Sequence, residues 1–382
     1  MTYKSFEDFY REAKIKHLVL WQDNDNLISP PFCTDNCKDY SKVMILKDNL
    51  DFIDIDTPRA TSKFNAMARI DDSLWFVPYG IWDQFNVIIE IKNNIPITHY
   101  INSSSKGQFY NLASNGTSAF SAPLGYDTVS FALFIKNGEI KQIPMPDNGE
   151  LKKHMGVVFH NNHYWSPPRG EGYDYNQILK FNPDTEELNF IEVDLPKSRR
   201  KYSDFIISGD KLFALPLGRD FELNHMLIVD TKTDSVELIK LNVPRFVKKY
   251  NAGVLLQDTI VAMPYGHKDD KENNYGLLFN TKTYEHSTFD IGQEFGGKYR
   301  FRSGVEFNNL AVFFPTGSPN VEIIAIDING NIVWKNLFRE YVFGRPIVYN
   351  NKVITLAYHI ETKKHYLFSL MSSFETNFMF LF

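Results

Sequence analysis

Along this chain a cationic side chain repeatedly stands beside an aromatic one: Lys63-Phe64, Lys201-Tyr202, Lys249-Tyr250 and Arg300-Phe301, with Lys16-His17 and Lys153-His154 as variants. Arg199, Arg200, Lys248, Lys298, Arg302 and Arg345 thicken the same neighbourhoods, and Asn65, Asn111, Ser203 and Asn251 follow closely. A guanidinium can hold a carboxylate or phosphate through two parallel bonds, and an aromatic face can stack on a sugar or base. The combination suits an anionic, partly apolar ligand: a sugar acid, a sugar phosphate or an acidic peptide. A plainer alternative accounts for the same residues, with the cations solubilising loops and the rings wedged between neighbouring elements.

These pairs sit in a repeat of roughly 47 residues that recurs eight times. Its clearest mark is a proline that ends a hydrophobic run, usually with glycine just after: Pro78-Tyr79-Gly80, Pro123-Leu124-Gly125, Pro216-Leu217-Gly218, Pro264-Tyr265-Gly266 and Pro315-Thr316-Gly317. Pro30-Pro31 and Pro167-Pro168-Arg169-Gly170 are variants, and Leu356-Ala357-Tyr358-His359 fills the eighth place. Each unit reads as four short strands. A tight polar turn such as Asp71-Asp72, Asn161-Asn162 or Asn350-Asn351 joins the first two, because such dipeptides tolerate left-handed backbone. The second strand stops at the proline, which cannot continue a central ladder. A variable loop leads to the third strand, and hairpins such as Asp230-Thr231-Lys232-Thr233 and Asn280-Thr281-Lys282-Thr283 lead to the fourth.

Four-stranded units joined by hairpins resemble the blades of the β-propeller superfamily, and the Asp/Asn-x-x-Thr hairpins are similar to those of kelch and quinoprotein-type repeats. The Gly-Gly pair of kelch repeats and the Trp-Asp signature of WD repeats are missing, so no functional residue carries over from either family. The resemblance implies an all-β fold: a single propeller, eight-bladed in preference to seven, with a two-sheet sandwich as a further alternative. The expected organisation is a short helix over 1–16 and a propeller over 17–382, with blades near 17–57, 64–102, 109–145, 153–195, 202–243, 250–291, 301–338 and 343–382. Ser5 caps the helix, and Phe6, Phe9, Tyr10 and Ala13 share one of its faces.

The resemblance also implies that first strands line a central channel whose mouth gathers the basic–aromatic pairs. The candidate ligand-binding residues there are Lys63, Phe64, Trp82, Arg169, Lys201, Tyr202, Lys249, Tyr250, Arg300, Arg302 and Arg345. Loops after the prolines add Asp83, Asp127, Glu171, Tyr173, Asp174 and Asp220 to the same face. His154, His267 and His359 map there as candidate catalytic bases, beside His17. One such base with an arginine clamp would fit proton abstraction next to a carboxylate, as in a sugar-acid lyase or epimerase. The leading reading is a protein that binds an anionic carbohydrate-like or phosphorylated ligand. An enzyme and a scaffold for an acidic protein are the alternatives. Replacing Lys249 and Arg300 by glutamate is expected to abolish binding while leaving stability nearly unchanged.

Other features narrow the field. A net charge of −5 argues against nucleic acid, which demands broad phosphate neutralisation. Hydrophobic residues at 43% and charged residues at 23% indicate a globular body, and 32 Phe with 20 Tyr suit many packed strands. Neither a signal peptide nor a membrane span is expected, which points to the cytoplasm. Cys33-x-x-x-Cys37 exhausts the cysteines, supplies only two soft ligands, and reads as unreactive thiols. His160 and His163 flank a turn as an incidental pair. No metal site is expected, and the cofactor stays unassigned because glycine-rich phosphate loops and hydrolase elbows are absent.

Overall fold

The computed structural model describes residues 14–81, 83–126, 129–146, 149–266, 274–292, 301–315 and 322–382. The fold is all-β, with eight antiparallel blades. Blade 1 comprises β1 (Trp21–Asp23), β2 (Asn26–Ser29), β3 (Lys42–Leu46) and β4 (Leu50–Asp54). Blade 2 comprises β5 (Phe64–Ile70), β6 (Ser73–Pro78), β7 (Val87–Lys92) and β8 (Ile95–Tyr100). Blade 3 comprises β9 (Ala113–Ser114), β10 (Ser118–Ser121), β11 (Phe131–Lys136) and β12 (Glu139–Pro144). Blade 4 comprises β13 (Val158–His160), β14 (His163–Ser166), β15 (Gln177–Phe181) and β16 (Leu188–Glu192). These four belong to one compact unit, Met1–Asp194.

The second unit, Leu195–Phe382, holds the rest. Blade 5 comprises β17 (Ile206–Ser208), β18 (Lys211–Ala214), β19 (His225–Asp230) and β20 (Ser235–Lys240). Blade 6 comprises β21 (Tyr250–Leu256), β22 (Thr259–Pro264), β23 (Tyr275–Asn280) and β24 (His286–Asp290). Blade 7 comprises β25 (Phe301–Phe307), β26 (Leu310–Pro315), β27 (Glu322–Ile326) and β28 (Ile332–Leu337). Blade 8 breaks its first strand into β29 (Tyr341–Phe343) and β30 (Ile347–Tyr349), both paired with β31 (Lys352–His359), and continues with β32 (Lys364–Leu370) and β33 (Thr376–Phe380).

The strands form where the turn chemistry allows. Asp71, Asn161, Asn308 and Asn350 take left-handed backbone in the first hairpins, as the polar dipeptides predict. In the second hairpins the Asp/Asn side chain folds over its own turn. Asp230 Oδ1 accepts the amides of Lys232 and Thr233 at 3.0 and 3.3 Å, and Asn280 Oδ1 accepts those of Lys282 and Thr283, both at 2.9 Å. Aromatic packing between neighbouring blades fills the core. Phe120 stacks on Phe181 at 4.5 Å between blades 3 and 4, and Phe314 meets Phe343 edge-on at 5.8 Å between blades 7 and 8.

The Pro-x-Gly signal has a specific role between blades. Proline ends the second strand, and the following glycine turns left-handed, as at Gly80, Gly125, Gly170, Gly218 and Gly266. At Gly80, Gly125 and Gly218 the carbonyl freed by this turn faces the next blade. There a second left-handed residue precedes the first strand: Ser62, Gly107, Lys152 or Lys248. Its amide donates to the carbonyl after the preceding proline: Ser62 to Cys33 and Gly107 to Gly80, both at 2.8 Å, Lys152 to Gly125 at 3.0 Å, and Lys248 to Gly218 at 2.6 Å. The next amide repeats the link, Lys63 to Phe32, Gln108 to Tyr79 and Lys249 to Leu217, each at 2.8 Å. Glycine is required because a Cβ on Gly80 would lie 2.7 Å from the Phe85 Cβ and 2.8 Å from the Asp83 carbonyl oxygen.

Two expectations need correction. The helix over 1–16 falls mostly on residues outside those described, and residues 14–20 are not helical. The polar dipeptide Asp25-Asn26 is expected to form the first turn of blade 1 as Asp71-Asp72 does in blade 2, but the turn lies one residue earlier, at Asn24-Asp25.

Candidate functional site

The lysines of the basic–aromatic pairs point into protein. Lys63 and Lys201 are fully buried, Lys249 is 1% exposed and Lys153 4%. Each ammonium whose contacts are visible is taken up by the preceding blade. Lys63 Nζ donates to Tyr40 O at 3.1 Å, Ser41 Oγ at 2.9 Å and Thr57 Oγ1 at 3.0 Å. Lys153 Nζ donates to Pro146 O at 2.8 Å, and Lys249 Nζ to Phe221 O at 3.2 Å. Gln108 holds the equivalent place in blade 3, its amide reaching Phe85 O at 2.8 Å and Ser105 O at 3.0 Å. Desolvation pushes the Lys63 pKa down against the pull of Cys33, Asp39 and Cys37. A flexible stem ending in three donors suits this strut between blades.

The aromatic partners are buried as well: Phe64, Tyr202, Tyr250 and Phe301 are all at 0%. They wedge adjacent sheets, as the plainer sequence alternative holds, and offer no face to a ligand. Phe64 lies edge-on to Phe85 at 5.1 Å, and the Tyr202 hydroxyl donates to His225 O at 3.1 Å. The neutral residues tie one first strand to the next. Asn65 donates to Tyr110 O at 2.9 Å, Asn111 to Val157 O at 3.1 Å, and Ser203 to Asn251 Oδ1 at 2.6 Å.

His154 does not have the surroundings of a base. It is fully buried; its Nδ1 lies 3.1 Å from Pro167 O and its Nε2 2.7 Å from the Tyr175 hydroxyl. These partners select one neutral tautomer, donating from Nδ1 and accepting at Nε2. Burial lowers its pKa to about 3, against the Pro167 bond and together with Lys153. His17 repeats the arrangement in blade 1, with Pro30 O at 3.0 Å, the Tyr40 hydroxyl at 2.9 Å and a pKa near 3 for the same chief reason. His359 sits at the end of β31, 3.8 Å from a Glu340 carboxylate oxygen, and accepts the Thr362 amide at 3.3 Å. His267, Trp82, Arg300, Lys298 and Asp127 lie outside the described residues.

Acids of the loops after the prolines act as caps. Asp83 accepts the Thr61 amide and hydroxyl, both at 2.8 Å, and Asp220 accepts the Arg199 amide at 2.9 Å and its guanidinium at 3.0 Å. Partial burial raises each carboxyl, but the Thr61 bonds with Lys38, and the Arg199 bonds, outweigh it and leave both below the ordinary value. Glu171 pairs with Lys152 at 3.0 Å, and Arg169 donates its amide to Lys153 O at 2.9 Å.

Among the described candidate ligand-binding cations, those that keep partial exposure are arginines. Arg302 and Arg345 are half-buried at the first strands of the adjacent blades 7 and 8. Arg302 Nε donates to the Tyr265 hydroxyl at 3.1 Å, and its guanidinium lies 5.8 Å from that ring's centre. Asn251 Nδ2 reaches Arg302 O at 3.4 Å, so Ser203, Asn251 and Arg302 form a polar run across blades 5 to 7. Beside it stands Asp204, a residue the sequence reading missed. The residue is exposed, but protein packed around the carboxyl desolvates it and raises it to about 6, against the Phe205 amide and the attraction of Arg345. No periodic signal marks Asp204, because it follows the repeated Lys201-Tyr202-Ser203 at a place that other blades fill differently.

Comparison with known proteins agrees on architecture. The chain resembles the crystal structure of BamB from Moraxella catarrhalis, with a TM-score of 0.58 and 11% identity over 90% of this chain and 94% of that one. It also resembles dihydro-heme d1 dehydrogenase NirN in complex with DHE, with a TM-score of 0.62 and 10% identity over 100% of this chain and 80% of that one. The likeness shows a β-propeller fold. No protein-family model and no curated protein matches this propeller. Among its described residues, no helix is long and apolar enough to cross a membrane.

Proposed function

We propose that this propeller binds a small carboxylated or phosphorylated ligand, carbohydrate-like in character, at the first-strand starts of blades 6 to 8. Arg302 and Arg345 carry the reading: two half-buried guanidiniums on adjacent blades, one of them backed by the ring of Tyr265. The Tyr265 contact orients the Arg302 guanidinium and so lowers the ordering cost of gripping an anion. Asp204 adds a group that can change role. Its carboxyl titrates near 6, so its protonation removes a negative charge beside the ligand and supplies an O–H donor. Anion affinity therefore strengthens as pH falls through about 6. A binding role is favoured over the lyase or epimerase reading because both ring nitrogens of His154 are engaged.

The test is a thermal-shift series with a hexuronate, a hexose phosphate and inorganic phosphate. At least one should raise the melting temperature of the native chain, more at pH 5.5 than at 7.5. The shift should vanish in Arg302→Glu/Arg345→Glu. No shift with any probe, or an undiminished one in the double variant, would overturn the reading.

A further inference from the structure

Cys33 occupies a place that glycine holds in five other blades. It follows Pro31-Phe32 as Gly80 follows Pro78-Tyr79, and its φ of 64° matches the left-handed values of those glycines. A side chain there costs conformational energy that glycine avoids, so the sulfur is retained against the local preference of the backbone. The Cys33 thiol is fully buried and donates toward Tyr40 O at 3.2 Å. Cys37 closes the short 3-10 turn Asp35–Cys37 and is only partly buried. Its sulfur accepts the Thr34 amide at 3.2 Å, lies 3.6 Å from the Thr34 hydroxyl, and donates its S–H to Ile15 O at 3.2 Å.

The two thiols also interact with each other, and this interaction makes them unequal. The neighbouring Cys33 side chain, with the Thr34 bonds and the charge of Lys16, outweighs burial and holds the Cys37 thiol below its ordinary value. Cys33 moves upward, through that same interaction and its burial. A partly exposed thiol that accepts a backbone amide, beside a fully buried partner, is the arrangement of an attacking and a resolving cysteine.

We propose that Cys37 and Cys33 form a thiol–disulfide exchange site that reacts with small-molecule disulfides of the glutathione type. In the first step the Cys37 thiolate attacks one sulfur of the external disulfide; that S–S bond breaks, and the leaving thiolate takes a proton from water. In the second step Cys33 gives its proton to water and attacks the Cys37 sulfur. The mixed disulfide breaks, and the second external thiolate leaves and is protonated. The protein loses two electrons and gains a Cys33–Cys37 bond, while the external disulfide becomes two thiols.

The full chain incubated with oxidised glutathione at pH 7 should lose two hydrogens in intact mass, with one peptide crosslink between Cys33 and Cys37. Cys33→Ser should stop at a stable glutathione adduct on Cys37. Cys33→Gly, which suits the backbone at this place, should do the same even if the serine variant folds poorly. Cys37→Ser should stay unmodified while folded. Iodoacetamide should alkylate Cys37 with a rate that half-titrates below the ordinary thiol value. A native chain that forms no bridge, or thiols that react only after denaturation, would overturn the proposal.

Discussion

Lys63 shows how residue type and residue role can part company. The side chain is the commonest solvent cation, yet here it joins three oxygens of the neighbouring blade. Replacing it with methionine keeps the stem and removes the donors, leaving Ser41 and Thr57 with each other at 2.6 Å and Tyr40 O with the Cys33 thiol. Lys63→Met should therefore lose about 1–3 kcal/mol of stability in urea denaturation. The same logic corrects the expectation for Lys249→Glu. With Lys249 at 1% exposure, charge reversal places a carboxylate against Phe221 O and destabilises the fold. The pairing of cation and aromatic was legible in the sequence. The direction of each ammonium was not, because a four-carbon stem lets it reach solvent or a neighbour equally well.

At the scale of the element, turns were the most legible features because their chemistry is local. Asn280 satisfies two amides of its own hairpin, so Asn280→Ala should cost about 1 kcal/mol and raise hydrogen exchange at Lys282 and Thr283. Blade 8 shows what proline does elsewhere by lacking it. Ala357 stands at the usual proline position, pairs with Phe343 and Tyr366, and lets β31 run for 8 residues into a direct hairpin. Gly344-Arg345-Pro346 breaks the facing strand instead. The eighth unit was countable from its sequence, but this exchange of a break between strands depends on pairing across the sheet.

For the molecule as a whole, titration should report the buried histidines. His17 and His154 have folded pKa values near 3 against an ordinary 6.5, so the unfolded chain binds more protons between those values. Their contribution is fully present above pH 6.5 and is lost as pH falls, by about 2 kcal/mol for each histidine at pH 5. Asp204 acts in the opposite sense: raised from 3.8 to about 6, it favours the folded state as pH falls through 6. Urea midpoints between pH 7.5 and 4 should decline, and the slope should flatten in His154→Phe and steepen in Asp204→Asn.

By itself the sequence determined the class of fold and most hairpins and favoured eight blades over seven, since alternation, turn dipeptides and strand-ending prolines act within a few residues. Tertiary structure decided what the polar repeats do. Lysines and asparagines that recur in register meet the adjacent blade and loop acids cap the start of their own, while Asp204, Arg302 and Arg345 meet groups distant in the chain. Periodicity reports which way a residue faces its own sheet; charge, burial and proton affinity depend on what the neighbouring sheet brings to meet it.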